Sequence, residues 1–311
     1  MILILGSPED GCARDTMALV QQRGQEALLV PEAQLQSALQ IKWELPAPVD
    51  DSYLASDPRP TPSAGRGKRI AVRELTGVLV RLRQAFQASL AEADDCGYMR
   101  AEWSALLYGF LKSLPCPVVN RPKPGAGQRL PETRAITQAL NRFGFAAPPA
   151  LVTASAKTAF EFFQCHKRRV FCASPGSGGR VLLEGEKAAE LFSRGAKRAL
   201  RLQAAPAGQW LRVLVVGDAA FGGEAAGASA LEAGKQPWRR VALPGKLARR
   251  CVGLASALEL ELMELSVAHD KTGDFVLAIN EFPDLGLYDP ALREAVTEAL
   301  CKVLTEQAKS P

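Results

Sequence analysis

Three apolar runs in the last third of the chain constrain its fold more than any other feature: Trp210-Leu-Arg-Val-Leu-Val-Val-Gly-Asp218, Met263-Glu-Leu-Ser-Val267 and Phe275-Val-Leu-Ala-Ile-Asn280. Runs of this length, rich in β-branched residues, read as buried strands. Among the polar groups that interrupt them are Arg212, Glu264 and Asn280, one on each run. Alternation puts Arg212 on the same strand face as Leu214 and Val216, among apolar side chains. A cation placed in this way needs an anionic partner, because an unpaired buried charge costs several kcal/mol. One sheet holding all three strands would bring a cation, an acid and an amide toward a common point, a set of groups suited to a polyphosphate and its metal.

At 311 residues, 47% of them apolar and 23% charged, the chain is long enough for two or three domains, each with its own core. The apolar opening from Met1 to Leu5 stops at Gly6-Ser-Pro8, far short of the roughly 20 residues a membrane helix needs, and no basic segment precedes it. Export and membrane anchoring are therefore not expected. Seven cysteines without paired CxxC spacing point to reduced thiols, a cytoplasmic location and no zinc or disulfide framework. His166 and His269 lack partners at metal-ligand spacing, which makes histidine triads and zinc sites poor candidates. The net charge of +5 gathers at Arg66-Gly-Lys-Arg69, Lys167-Arg-Arg169 and Arg239-Arg240, patches that attract phosphate-bearing ligands. Without interleaved aromatics or a nucleic-acid module, they argue against nucleic acid as the partner.

The N-terminal order is strand, helix, strand: Ile2–Leu5, a helix from Arg14 to Gln22 stopped near Gly24, and Ala27–Val30. This order predicts a doubly wound α/β start. The Gly6-Ser-Pro-Glu-Asp10 turn lacks G-x-G-x-x-G spacing, so no dinucleotide site is expected there. From Pro46 to Lys68 the residues shift to Pro, Asp, Ser and Gly, and an irregular surface loop is predicted. Leu75–Arg81 reads as another buried strand, with Arg81 at the C-terminal end where open α/β sheets place ligand-binding groups. A helix follows with Met99, Trp103, Leu106, Leu107, Phe110 and Leu111 at three- and four-residue steps. The short strand Pro117–Asn120 then leads into the turn-rich Arg121-Pro-Lys-Pro-Gly-Ala-Gly127, taken as a domain junction.

Beyond the junction come a helix from Pro131 to Phe143, Gly144-Phe145, Pro148, the strand Leu151–Thr153 and a helix from Ala156 to Cys165. Strands Arg169–Cys172 and Arg180–Leu183 flank Pro175-Gly-Ser-Gly-Gly179. This succession, followed by the Arg212, Glu264 and Asn280 strands, resembles the ATP-grasp superfamily, especially its ribosomal-protein glutamate ligases and peptide-macrocyclising ligases. The resemblance runs from about Leu75 to Lys309 and rests on order more than on any one motif. It implies an α/β, ATP-grasp-like fold with an N-terminal doubly wound α/β domain over residues 1–125. A small central α+β subdomain over 126–203 and a C-terminal α+β subdomain over 204–311 would form a cleft.

The resemblance also implies chemistry. ATP-grasp ligases activate a carboxylate as an acyl phosphate, which an amine attacks, with ATP and magnesium held in the cleft. Carried over residue by residue, this places Arg212 at the transferred phosphate as the catalytic residue, and Gly176, Gly178 and Gly179 in the loop over the phosphates. Arg134 falls near a second phosphate, Gln203 at the hinge, and Glu264 and Asn280, with Glu281 beside them, at the metal. Backbone N–H groups of a Gly-rich loop can cap phosphate oxygens, although a Gly-rich hairpin turn needs no ligand.

Three family groups are absent. Ala278 stands two residues before Asn280 in place of a bridging acid, Ser174 replaces the loop lysine, and Ala204 follows Gln203 in place of the ribose acid. Glu281 lies on the opposite strand face from Asn280 unless the strand ends there. Lys167, Arg168 and Arg169 are either substitute cations or a solvated charge run. At ~2 kcal/mol per lost electrostatic group, three losses together exceed roughly a thousandfold in rate. The expectation is a degenerate ATP-grasp-like protein, non-catalytic or weakly active, that binds a peptide, a partner protein or an anionic ligand in the old cleft. The alternative is an active ATP-dependent carboxylate-amine ligase with a rearranged magnesium site. The sequence leaves self-association open. Phe282-Pro-Asp-Leu-Gly-Leu-Tyr288 either lines an acceptor site or caps a core.

Overall fold

The computed structural model describes residues 1–32, 35, 39–42, 53–56, 69–82, 93–122, 133–173, 181–185, 199–206, 208–224, 237–270 and 273–306. The chain begins with β1 (Ile2–Leu5), α1 (Gly11–Gln22) and β2 (Ala27–Val30). α1 starts at Gly11 rather than Arg14 because Asp10 caps it, its carboxylate accepting the Ala13 N–H at 3.0 Å. β3 (Leu39–Lys42), β4 (Tyr53–Ser56) and β5 (Arg69–Ala71) form a small antiparallel sheet of their own. β4 corrects the irregular loop expected from Pro46 to Lys68; the remainder of that stretch lies outside the described residues.

β6 (Gly77–Val80), α2 (Ala93–Ser113) and β7 (Val118–Val119) complete a parallel sheet in the order β2-β1-β6-β7. Its strands are apolar on both faces because both are covered. Ile2, Ile4, Leu79 and Val119 pack with Cys12 and Val20 of α1. Leu3, Leu5, Val78 and Val80 pack with Leu107, Phe110 and Leu111 of α2. This is the doubly wound arrangement that the alternation predicts.

α3 (Thr133–Arg142) leads into β8 (Ala150–Thr153), α4 (Ala156–Cys165), β9 (Arg169–Ala173), β10 (Val181–Glu184) and β11 (Leu200–Ala204). The four strands pair antiparallel as β10-β9-β11-β8, with Ala159 and Phe163 of α4 seated on Val170 and Leu202.

The C-terminal part comprises β12 (Gln209–Val216), β13 (Ala219–Glu224), β14 (Arg239–Val241), α5 (Gly245–Ala257), β15 (Leu262–Asp270), β16 (Gly273–Asn280) and α6 (Pro290–Thr305). Its antiparallel sheet runs β14-β13-β12-β15-β16. Leu211, Val213, Val215, Met263 and Leu265 face α5, and Leu140 of α3 joins them with Phe145. Arg250 of α5 fixes the end of α3 by donating to the carbonyls of Phe143 and Gly144 while pairing with Asp274. On the opposite face, Leu214, Val216 and Leu262 enter the same core as Ile2, Ile4 and Leu79, together with Leu292, Val296, Leu300 and Leu304 of α6. The first and last sheets are thus joined through α6.

Candidate functional site

The register of the C-terminal sheet brings the three polar strand positions together. Leu214 of β12 stands opposite Glu264 of β15, Arg212 opposite Ser266, and Glu264 opposite Asn280 of β16. Arg212 and Glu264 share a sheet face and form an ion pair, Nη1 to Oε1, at 3.3 Å. Glu264 is only 4% exposed. Tyr288 donates its hydroxyl to the other carboxylate oxygen, Oε2, at 2.6 Å. Backbone bonds set that tyrosine in place: the Trp238 N–H donates to the Leu287 carbonyl at 2.9 Å, and the Asp289 N–H to the Trp238 carbonyl at 3.0 Å.

The same pairing puts the Trp238 ring 4.7 Å from the Arg212 guanidinium carbon, a cation–π contact. Burial, reinforced by the Glu264 carboxylate, pushes the Tyr288 hydroxyl well above the ordinary tyrosine pKa, so it remains a donor. Arg212 Nε is buried and has no hydrogen-bond partner among the described residues.

Asn280 is engaged elsewhere. Its Oδ1 accepts the Phe282 N–H at 2.9 Å and its Nδ2 donates to the Phe282 carbonyl at 3.2 Å, closing an Asx-type turn. β16 ends at Asn280, so strand alternation no longer fixes the side of Glu281. Ala278 lies opposite Ser266 and in line with Arg212, presenting a methyl group.

No protein-family model matches the sequence, and no curated protein is similar to it in sequence. Solved structures are similar over nearly the whole chain. The RiPP-associated ATP-grasp ligase of Chryseobacterium gregarium, in complex with ADP and a leader and core peptide, superposes with a TM-score of 0.69 at 16% identity, over 100% of this chain and 97% of that one. The macrocyclase MdnC of Microcystis aeruginosa MRC, bound with precursor peptide MdnA, gives 0.69 at 11% identity, over 98% and 100%. The ATP-grasp ligase PsnB, complexed with minimal precursor, Mg and ADP, gives 0.67 at 15% identity, over 98% of each. The chain has the ATP-grasp fold.

An ATP-grasp fold raises the question of magnesium, which prefers octahedral oxygen ligands including one or two carboxylates. Among the described residues, no three His, Cys, Asp or Glu side chains gather where they could hold a metal ion. Both Glu264 oxygens are occupied, one by a cation and one by a hydroxyl donor. The Asn280 amide is closed on its own turn, and Ala278 offers no ligand. As held here, these residues do not fit a magnesium ion.

Of the other site residues expected in an ATP-grasp cleft, Gly176, Gly178 and Gly179 lie outside the described residues, as does Ser174. The backbone places Arg134 on α3. Gln203 sits half-buried on β11, in register with Phe171 of β9. Phe171 meets Trp210 edge-on at 5.5 Å between ring centroids, where the sheet from β8 to β11 abuts the C-terminal sheet. Lys167 and Arg168 are exposed in a left-handed turn between α4 and β9, with φ of 58° and 56°. Arg169 is committed to an ion pair with Glu184 across the β9–β10 ladder.

Sequence reasoning missed Tyr288 and Trp238 as partners of the Arg212–Glu264 pair. An aromatic near a polar strand is the only signal either gives, and core aromatics give the same one.

Proposed function

We propose that this is a peptide-binding protein of ATP-grasp fold whose magnesium site has closed on itself, leaving it non-catalytic or weakly active as a ligase. The internal satisfaction of Glu264 carries this reading: Arg212 takes one carboxylate oxygen and Tyr288 the other. A metal ion would have to compete with both partners for the carboxylate, and the charged hydrogen bond from Tyr288 alone contributes about 1.5–3 kcal/mol. Ala278 removes the bridging acid, which leaves Glu281, one residue past the end of β16, as the nearest carboxylate in sequence to Asn280. Peptide is the favoured occupant because the three similar structures above hold leader, core or precursor peptides. Residues 1–125, 126–203 and 204–311 are proposed as the working units, with the cleft between the last two. The six cysteines whose side chains are described, Cys12, Cys116, Cys165, Cys172, Cys251 and Cys301, are free, which supports a reducing, cytoplasmic setting.

A second reading, an active ATP-dependent carboxylate-amine ligase, draws support from Arg212 Nε, a buried donor left for an anionic oxygen. Calorimetric titration of ATP with and without magnesium, into the wild type and Arg212→Ala, separates the two. The proposed function expects no gain in affinity from magnesium and, in the presence of a carboxylate and an amine, ADP formation that is absent or slow and insensitive to Arg212→Ala. Magnesium-dependent binding or ATP consumption that is lost in Arg212→Ala retires it in favour of the ligase. Selection from a random peptide display library on both proteins tests the peptide assignment, which fails if no bound peptide depends on Arg212.

A further inference from the structure

We infer that Arg81 and Asn120 are positioning residues for the cleft, which grip the turn carrying Asn280 and fill the N-terminal sheet's ligand crevice with the chain's own backbone. They follow β6 and β7, adjacent parallel strands, at their C-terminal ends. Open α/β sheets ordinarily receive ligands at that edge. Here both residues are 1% exposed and both reach into the C-terminal part of the chain.

Asn120 Nδ2 donates to the Leu262 carbonyl at 2.8 Å and to the Glu281 carbonyl at 3.0 Å, and its Oδ1 accepts the Leu262 N–H at 2.9 Å. Its own N–H donates to Glu261 Oε2 at 2.9 Å. One side chain therefore ties the start of β15, two residues before Glu264, to the end of β16, one residue after Asn280. Arg81 adds the next carbonyl but one, its Nη2 donating to Pro283 at 2.9 Å. Between the gripped carbonyls of Glu281 and Pro283 lies Phe282, whose ring centroid is 5.5 Å from the Arg81 guanidinium carbon and whose N–H holds Asn280.

The charges of the crevice are also settled internally. A helix N-terminus beside a buried arginine would suit an anion. Asp10 supplies that anion, capping α1 and accepting Arg81 Nη2 at 2.7 Å and Nε at 3.1 Å. The arrangement has costs. A buried ion pair is weak as a stabilising device, and Asn120 sits at φ 53°, in the left-handed region. What it contributes is geometry: the β15–β16 ladder pairs Glu264 with Asn280, and the start of β15 and the turn after Asn280 are held from the N-terminal sheet.

Amide hydrogen exchange followed by NMR on the full chain tests this. Asn120→Gly keeps the left-handed backbone unstrained and removes the grip. Arg81→Lys keeps a cation against Asp10 and removes the fork that reaches Pro283. The Phe282 amide, whose acceptor is Asn280, is expected to exchange at least about tenfold faster in each variant, with the Val213 amide in the middle of the C-terminal sheet unchanged. Equal acceleration of both amides, or of neither, overturns the assignment, because a purely structural role loosens the whole molecule or nothing in particular. Should Asn120→Gly not fold, Asn120→Asp decides by the same ratio, since it keeps the acceptor for Leu262 and loses the donor to Glu281. No nucleotide enters the experiment, so its outcome is independent of whether the cleft binds ATP.

Discussion

Glu264 is a buried carboxylate with two partners, a guanidinium and a phenol. Tyr288→Phe removes the phenol's donor and leaves Oε2 without it. The expected cost is about 1.5–3 kcal/mol, read as a lower urea midpoint, the range found for hydrogen bonds to charged groups. An unchanged midpoint would mean that Glu264 has another donor ready. Thiols give a second residue-scale prediction. Burial pushes the Cys12 thiol from 9.0 up to about 11 and the Cys251 thiol up to about 12. With folded pKa values raised, the native state keeps protons that the unfolded chain releases. Their contribution is intact below pH 9 and is lost as pH climbs toward 11–12. Urea midpoints should therefore fall from about pH 8 to about pH 10.5, and fall less in Cys12→Ala. Arg212 was legible in the sequence because a cation among strand-forming residues demands an anion. Tyr288 was not, because the backbone pairing that delivers it runs through Trp238, about fifty residues away in sequence.

Elements were most legible where their ends are marked by local chemistry. α4 matches the predicted Ala156–Cys165 because Ser155 caps it, accepting the Thr158 N–H at 3.2 Å, and a Phe-rich face follows. α1 was placed late although Asp10 carries the same cap signal. β4 falls within a Pro- and Ser-rich stretch whose composition hides it, since its pairing with β3 and β5 is tertiary. Gly77 gives the element-scale prediction. It opens β6 where that strand meets the end of α6, and an added Cβ would lie 2.2 Å from the Leu304 carbonyl oxygen. The obstacle is backbone, so the strand and helix must separate for a methyl group to enter. Gly77→Ala is expected to cost about 1–3 kcal/mol or more, an overpacking penalty checked by urea unfolding. An unchanged midpoint would show that α6 can withdraw without loss.

At the scale of the molecule, sequence order implied separate segments, but side chains join the first and last of them. Ile2, Ile4, Leu79 and Val119 of the N-terminal sheet share a core with Leu214, Val216 and Leu262 of the C-terminal sheet, with α6 between them. Arg81 and Asn120 add polar ties across the same boundary. By contrast, the sheet from β8 to β11 has a small core of its own around Ala159, Phe163, Val170 and Leu202. It leaves Val152 and Val181 more than half exposed. Apolar area removed from water scales roughly with stability at about 25 cal/mol per Å². The N-terminal and C-terminal sheets should therefore open together at the global free energy, and the sheet from β8 to β11 at a lower one. Native-state hydrogen exchange in rising urea measures this directly. The amides of Leu3, Leu79, Val213 and Leu265 are expected to converge on one unfolding isotherm, with those of Val170 and Leu202 crossing to exchange earlier. Two isotherms dividing Leu3 and Leu79 from Val213 and Leu265 would contradict a shared core. A single isotherm for all six would mean that the Phe171–Trp210 contact couples the small sheet to the rest more strongly than its own packing suggests.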